Sequence, residues 1–267
     1  LCADYHLSHL ISPLWKQLQV LLLTKNHRQG EDFSYAKILN RIRSGTHTAD
    51  DCEVLQSRVR PKNHPDIPNE ALYIICTNHG VNLINEAKLE AMDGECFTFK
   101  AEVSRSGKPY KNPRKSKDGS IFNTPLQMNL HLKVGAQIIL TYNVDVMDSL
   151  TNGTIGKVLG FEKTPQGSVK SVLICFKNEK CGKERRKKNS FLLNRKFPNT
   201  AVTPIDKIEF RFNMSKNPTS QNDFMTAVQF PLKLAFACTA HKMQGSTVTK
   251  PDSLAIDLTS VREAATT

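Results

Sequence analysis

Thr239, His241, Lys242, Gln244, Gly245 and Thr247 fall within nine residues, directly after the apolar run at 231–238. Hydroxyl, imidazole, ammonium and amide groups in such a row can hydrogen-bond phosphate oxygens or a nucleic-acid backbone. The loosely alternating run before them predicts a strand covered on both faces, ending at Ala237-Cys238. A buried strand with a turn closed by Gly245 is the plainer reading of the same spacing. His241 reads equally as a group that orients its loop and as an acid or ligand, and Lys242 as a phosphate contact or a loop brace. Gly245 permits close backbone approach or a positive φ.

Two further places offer similar chemistry. Arg28, in Asn26-His27-Arg28-Gln29 after a brief apolar strand at 21–23, can set a planar cation against phosphate oxygens with paired hydrogen bonds. A surface arginine is its other reading. Thr77 and Asn78 follow the compact strand at 72–76 and precede a helix running to about Met92. Either can act as that helix's N-cap, and either can present a polar group at the strand's end.

The elements that must position these groups alternate strand with helix. A helix is expected over 32–43, stopped by Gly45, and another from Asp50, with Val54, Leu55 and Val59 inward. The helix after Asn78 carries Val81, Ile84, Leu89 and Met92 inward, with Asn82 and Asn85 on its polar edge. Strand, short polar turn and helix predict a doubly wound α/β layer. Residues 103–120 mix six Lys or Arg with Gly and Pro and lack a packing period, so they read as an exposed or mobile basic segment. Strand candidates at 137–142, 154–162, 170–176 and 205–212, separated by turns such as Asn152-Gly153, suit a small antiparallel barrel. A last core strand, near 254–258, contains Asp257.

Composition narrows the partners. The 267 residues hold 37 basic and 25 acidic side chains, a formal charge of +12, which favours a polyanion. Seven dispersed cysteines argue against a complete disulfide framework and for a reducing compartment. Cys175 and Cys181 have five residues between them, wider than a usual zinc pair, so no metal site is expected. No apolar stretch approaches a membrane span. The run Lys183-Glu184-Arg185-Arg186-Lys187-Lys188 reads as a nuclear address or as a solvated loop. Residues 177–196 carry nine Lys or Arg against two Glu and can reach nucleic acid.

Four stretches together resemble the PIF-type helicases of superfamily 1B. They are Leu23-Thr24-Lys25-Asn26-His27-Arg28-Gln29 with Phe33 and 38–45; Cys76-Thr77-Asn78-His79-Gly80 through Asn85; 134–140 with Asn143 and Leu150-Thr151-Asn152-Gly153-Thr154 through Val158; and Thr239-x-His241-Lys242-x-Gln244-Gly245-x-Thr247. Their order and spacing match over roughly 15–260. Rolling-circle (Helitron-like) transposon helicases show a similar flavour. Met243 stands where the family often has a small residue.

The resemblance implies a RecA-like P-loop NTPase-type second domain, an α/β fold, over 20–142 and 222–267, with an SH3-like all-β insert at 143–221. Residues 1–19 would end a preceding RecA-like domain or linker. Arg28 would sense the nucleotide γ-phosphate and Gln29 would hold its loop. Thr77, Asn78, Thr239, His241, Lys242 and Gln244 would contact DNA, while Gly153 and Gly245 would be structural. ATP and Mg2+ would bind in the complete protein, with the Mg2+ ligands on the other RecA-like domain. Partners would be single-stranded and duplex or forked DNA, in the nucleus and also in mitochondria.

No Gly-x-x-x-x-Gly-Lys-Ser/Thr loop occurs here, and Arg262 precedes the place of the family's arginine finger. The resemblance therefore implies a fragment of a 5′–3′ helicase with negligible ATP hydrolysis alone. Its rivals are a noncatalytic nucleic-acid module derived from a helicase and a basic protein-interaction domain.

Overall fold

The computed structural model describes residues 17–19, 21, 33–61, 64–188, 197–213, 224–244 and 253–257, in two compact units divided between Ile67 and Pro68. Arg28, Gln29 and Gly245 lie outside the described residues.

The first unit contains helices α1 (Phe33–Ser44) and α2 (Ala49–Gln56). Gly45, at φ 72°, ends α1 as its position predicts. Helix α2 is capped by Thr48 rather than by the expected Asp50. The Thr48 side chain accepts from the Asp51 amide and the Asp51 carboxylate accepts from the Thr48 amide, a reciprocal capping box. Asp51 also receives both arms of Arg41, at 2.7 and 2.5 Å. These bonds cover Asp51, whereas Val54, Leu55 and Val59, expected inside, are exposed.

Asp51 is covered by these local partners rather than by a deep interior. The Arg41 bond, followed by the Thr48 amide, holds its carboxyl well below the ordinary carboxylate range. A carboxyl depressed by folding stabilises above its unfolded value and loses that contribution as pH falls through its folded one. The Tm advantage of the wild type over Asp51→Asn should therefore be largest at neutral pH and shrink on acidification below the carboxylate range. Thermal melts over a pH series measure it.

The second unit begins with a parallel layer. Strand β1 (Leu72–Ile75) is followed by helix α3 (Asn78–Glu90). Seven antiparallel strands then follow: β2 (Phe97–Lys100), β3 (Glu102–Arg105), β4 (Lys108–Pro109), β5 (Asn129–Leu132), β6 (Gln137–Leu140), β7 (Ile155–Lys163) and β8 (Val169–Phe176). Helix α4 (Lys183–Lys188) precedes β9 (Val202–Asp206), β10 (Ile208–Asn213), β11 (Phe224–Gln229) and β12 (Leu232–Leu234). The chain returns to the parallel layer with β13 (Ala237–Thr239), the short helix α5 (Ala240–Met243) and β14 (Leu254–Asp257). The parallel order is β13-β1-β14, and the antiparallel sheets run β12-β6-β7-β8-β9, β10-β11-β3-β4 and β2-β5.

The largest core lies in the antiparallel part. Leu132, Ile138, Leu140, Val158, Val172, Ile174, Ile205 and Phe230 pack there. Phe99 meets the fully buried Phe230 edge-on at 5.0 Å between centroids. Strand β7 presses so closely on β8 at Gly156 that a Cβ there would sit 2.6 Å from Ile174 Cγ2 and 2.9 Å from the Cys175 carbonyl oxygen. Gly153, at φ 95°, makes the turn into β7 in a region that favours glycine. Gln229 is wholly buried yet satisfied: its amide donates to the Phe99 and Gln127 carbonyls and its oxygen accepts from the Phe230 amide.

Several expectations change. Residues 231–238 do not form one strand. The Ala235 amide still donates to Gln137, but the Phe236 carbonyl already accepts from Tyr73, so the chain switches sheets between them. The expected strand at 205–212 divides at Lys207 into β9 and β10, which lie in different sheets. Residues 103–120 are not an unpacked linker: β3 pairs with β11 and buries Val103, and the turn at Ser106-Gly107 leads into β4.

The basic run 183–188 is a helix, not a loop. Buried Asp148 accepts from the Glu184 and Arg185 amides, and Arg186 turns back onto the Glu179 and Cys181 carbonyls and Thr203. Part of its charge therefore serves the fold. The antiparallel strands extend from 97 to 234, on both sides of 143–221.

Candidate nucleic-acid interface

Strands β1 and β13 are hydrogen-bonded parallel neighbours, with Ile75 opposite Thr239. Their carboxyl ends therefore deliver Thr77-Asn78 and Thr239 through Gln244 to one edge of the sheet, the edge where open α/β layers hold ligands. On the other flank of β1, Asp257 stands opposite Ile75 and gives that side an acidic group.

Thr77 is the N-cap of α3, its hydroxyl oxygen accepting from the Gly80 amide at 3.2 Å. Gly80 is constrained there, since a Cβ would lie 3.0 Å from Ile75 Cγ2. Asn78 and His79 are exposed on the first turn. Thr239 occupies the matching position before α5 but makes no capping bond with its side chain. His241, Lys242 and Gln244 are exposed, whereas Met243 packs against Leu72, Ile139, Ala235 and Cys238. A larger apolar side chain at 243 thus anchors the turn by one face and leaves its polar neighbours outward.

Lys242 is exposed as a residue, yet its ammonium is crowded. Burial first, and nearby Lys233 second, hold its pKa below the ordinary lysine value, with Cys238 and Asp118 acting the other way. Burial likewise pushes the Cys238 thiol up.

Sequence reasoning missed the residue that joins the two halves of this edge. Asn85 is 3% exposed and bonds both backbone groups of Ala237: its amide donates to the carbonyl at 3.2 Å, and its oxygen accepts from the amide at 2.9 Å. It fixes α3 to β13, hence the Thr77 end to the Thr239 end. A signal was present, since Asn85 lies four residues from both Val81 and Leu89 on the inward stripe.

Comparison with known proteins agrees with this architecture. Residues 121–161 match the family model for the 2B domain of the DNA helicase Pif1. The ATP-dependent DNA helicase PIF1 of Danio rerio is 28% identical over 245 residues, covering 89% of this chain and 31% of its own length. The structure of Pif1 helicase from Candida albicans superposes with a TM-score of 0.60 at 21% identity, covering 88% of this chain and 49% of that one. A Bacteroides Pif1 bound to ssDNA gives 0.54 at 21% identity over 88% of this chain and 45% of that one. The chain spans about half the length, or less, of the curated relatives it matches. The mixed α/β topology is that of a RecA-like helicase fold. The chain is accordingly similar to Pif1 helicases over most of its own length and corresponds to only part of such a protein.

Proposed function

We propose that this chain is the distal RecA-like half, with an SH3-like insert, of an ATP-dependent 5′–3′ DNA helicase, and that the β1–β13 edge grips single-stranded DNA. The adjacency of Ile75 and Thr239 carries this reading, because it aligns two separated polar segments along one edge. The relative from Bacteroides, bound to ssDNA, supports the choice of ligand. Asn78, His241, Lys242 and Gln244 offer donors to phosphate and sugar oxygens, which every nucleotide presents alike, so the grip need not read sequence. Thr239 adds a hydroxyl at the root of the segment, and Thr77 holds the first turn of α3 in place.

ATP and Mg2+ would supply the energy of translocation from a site shared with a preceding RecA-like domain that contributes the Mg2+ ligands. Arg28 and Gln29 are this chain's proposed contribution there, as γ-phosphate sensor and loop support. Forked and duplex DNA, and a nuclear or mitochondrial site of action, belong to the same proposal for the complete protein.

A noncatalytic nucleic-acid module is the second reading, favoured by the absence of a phosphate-loop motif from the sequence. Binding titrations with oligo(dT), a DNA duplex and RNA over a salt series test the shared part. Preference for oligo(dT), weakening steeply with salt, is expected. Indifference to nucleic acid would refute the grip. Phosphate release by the chain alone should be negligible, and addition of the complementary RecA-like domain should raise it under the first reading only.

A further inference from the structure

The basic segment at 111–121 is built as a hairpin rather than as a solvated run. The Phe122 amide donates to the Arg114 carbonyl at 2.8 Å and the Ser116 amide to the Ser120 carbonyl at 2.8 Å, with Lys115 bridged to Ile121. Ile121 is fully buried beneath it, and the Arg114 guanidinium stacks on the Phe122 ring at 4.5 Å. Lys111, Arg114, Lys115 and Lys117 are exposed, and among the described residues none of them is paired with a carboxylate. The hairpin's acid, Asp118, is occupied elsewhere: it accepts from Ser120 and from Lys233 Nζ at 3.3 Å, while its carbonyl takes the same ammonium at 3.2 Å.

That tether decides where the cations point their field. Lys233 belongs to β12, immediately before the chain crosses into β13, and both Lys233 and Asp118 act electrostatically on Lys242. The hairpin is therefore held beside the Thr239–Gln244 segment through Asp118 and Lys233. The exposed Lys111, Arg114, Lys115 and Lys117 belong to the same hairpin as the tied Asp118.

We propose that the 111–121 hairpin is a second phosphate-backbone contact, which takes the same DNA strand onward from the β1–β13 edge, with Asp118–Lys233 as its positioning tie. The inference rests on the single-strand reading above. Its occupant is single-stranded DNA, because the tie fastens the basic hairpin to β12, the strand that leads into that edge.

The test measures oligo(dT) affinity of the chain against salt. Replacing Lys111, Lys115 and Lys117 with Gln leaves the Arg114 stacking and Ile121 in place, so the melting temperature should hold. Three lost phosphate contacts should make the slope of log K against log salt shallower by roughly 2. Asp118→Asn keeps every cation and removes a negative charge, which by net charge alone would strengthen binding; loss of the ionic part of the tie to Lys233 should weaken it instead. Unchanged slope in the triple variant, or tighter binding by Asp118→Asn, overturns the proposal while leaving the strand edge intact if Asn78→Ala/Lys242→Gln still binds weakly. Failure of the wild type to bind oligo(dT) overturns both.

Discussion

Asn85→Leu should be the most damaging single change to the interface, although Asn85 touches no ligand. The leucine fills the space but leaves the Ala237 N–H and C=O, both inside the sheet layer, without their side-chain partner. Leaving two buried backbone groups short costs about 3 kcal/mol. For a unit of this size that lowers the melting temperature by roughly 6–12 °C. The functional loss should be disproportionate. Strand β13 is only three residues long and pairs through Tyr73, Ile74 and Ile75, so little else holds Thr239 in register. Oligo(dT) binding measured well below the melting transition should therefore fall with the Tm. Wild-type affinity in a folded Asn85→Leu protein would show that the two ends of the edge do not need to be fastened.

Asn78→Ala combined with Lys242→Gln should lose oligo(dT) affinity by roughly 30–100-fold, equivalent to about 2–3 kcal/mol, without lowering the melting temperature. Both side chains are exposed, so nothing in the core depends on them. Thr77 is the poorer probe, because its hydroxyl also caps α3 and its loss mixes helix stability with binding. The lowered pKa of Lys242 adds a direction in pH. Its ammonium loses charge earlier than an ordinary lysine as pH rises, so wild-type affinity should decline on the alkaline side before Lys242→Arg declines, since arginine keeps its charge. Identical alkaline profiles for the two would remove Lys242 from the phosphate contacts.

The parallel layer was legible because its signals are local. Leu72–Ile75 is a short apolar run before a capping residue, and Val81, Ile84 and Leu89 repeat at helical spacing. The polar residues at the strand tips were visible for the same reason, since chain order puts them next to apolar runs. What stayed hidden depends on partners distant in sequence. The apolar stretch 231–238 looks continuous, and only the separate demands of β6 and β1 for hydrogen bonds divide it. Strand β3 reads as a basic linker because its exposed positions carry charge, while Val103 alone shows its inward face.

Buried amides were the other blind spot. Asn85 and Gln229 look like surface residues by type, yet the side-chain amide nitrogen of each donates to backbone carbonyls more than 100 residues away. A polar residue on an apolar stripe can signal either a tolerated surface position or a long-range tie, and periodicity alone does not choose between them.

Two segments about 160 residues apart in sequence must touch one DNA strand together if they form a single gripping edge. Photo-crosslinking with a 4-thiothymidine-bearing oligo(dT), followed by peptide mapping, shows whether they do. Crosslinks should fall on the peptides containing Asn78-His79 and His241-Lys242, and should decline together as unlabelled oligo(dT) competes. Crosslinks confined to other surfaces, with both of these peptides unmodified, would contradict a single gripping edge.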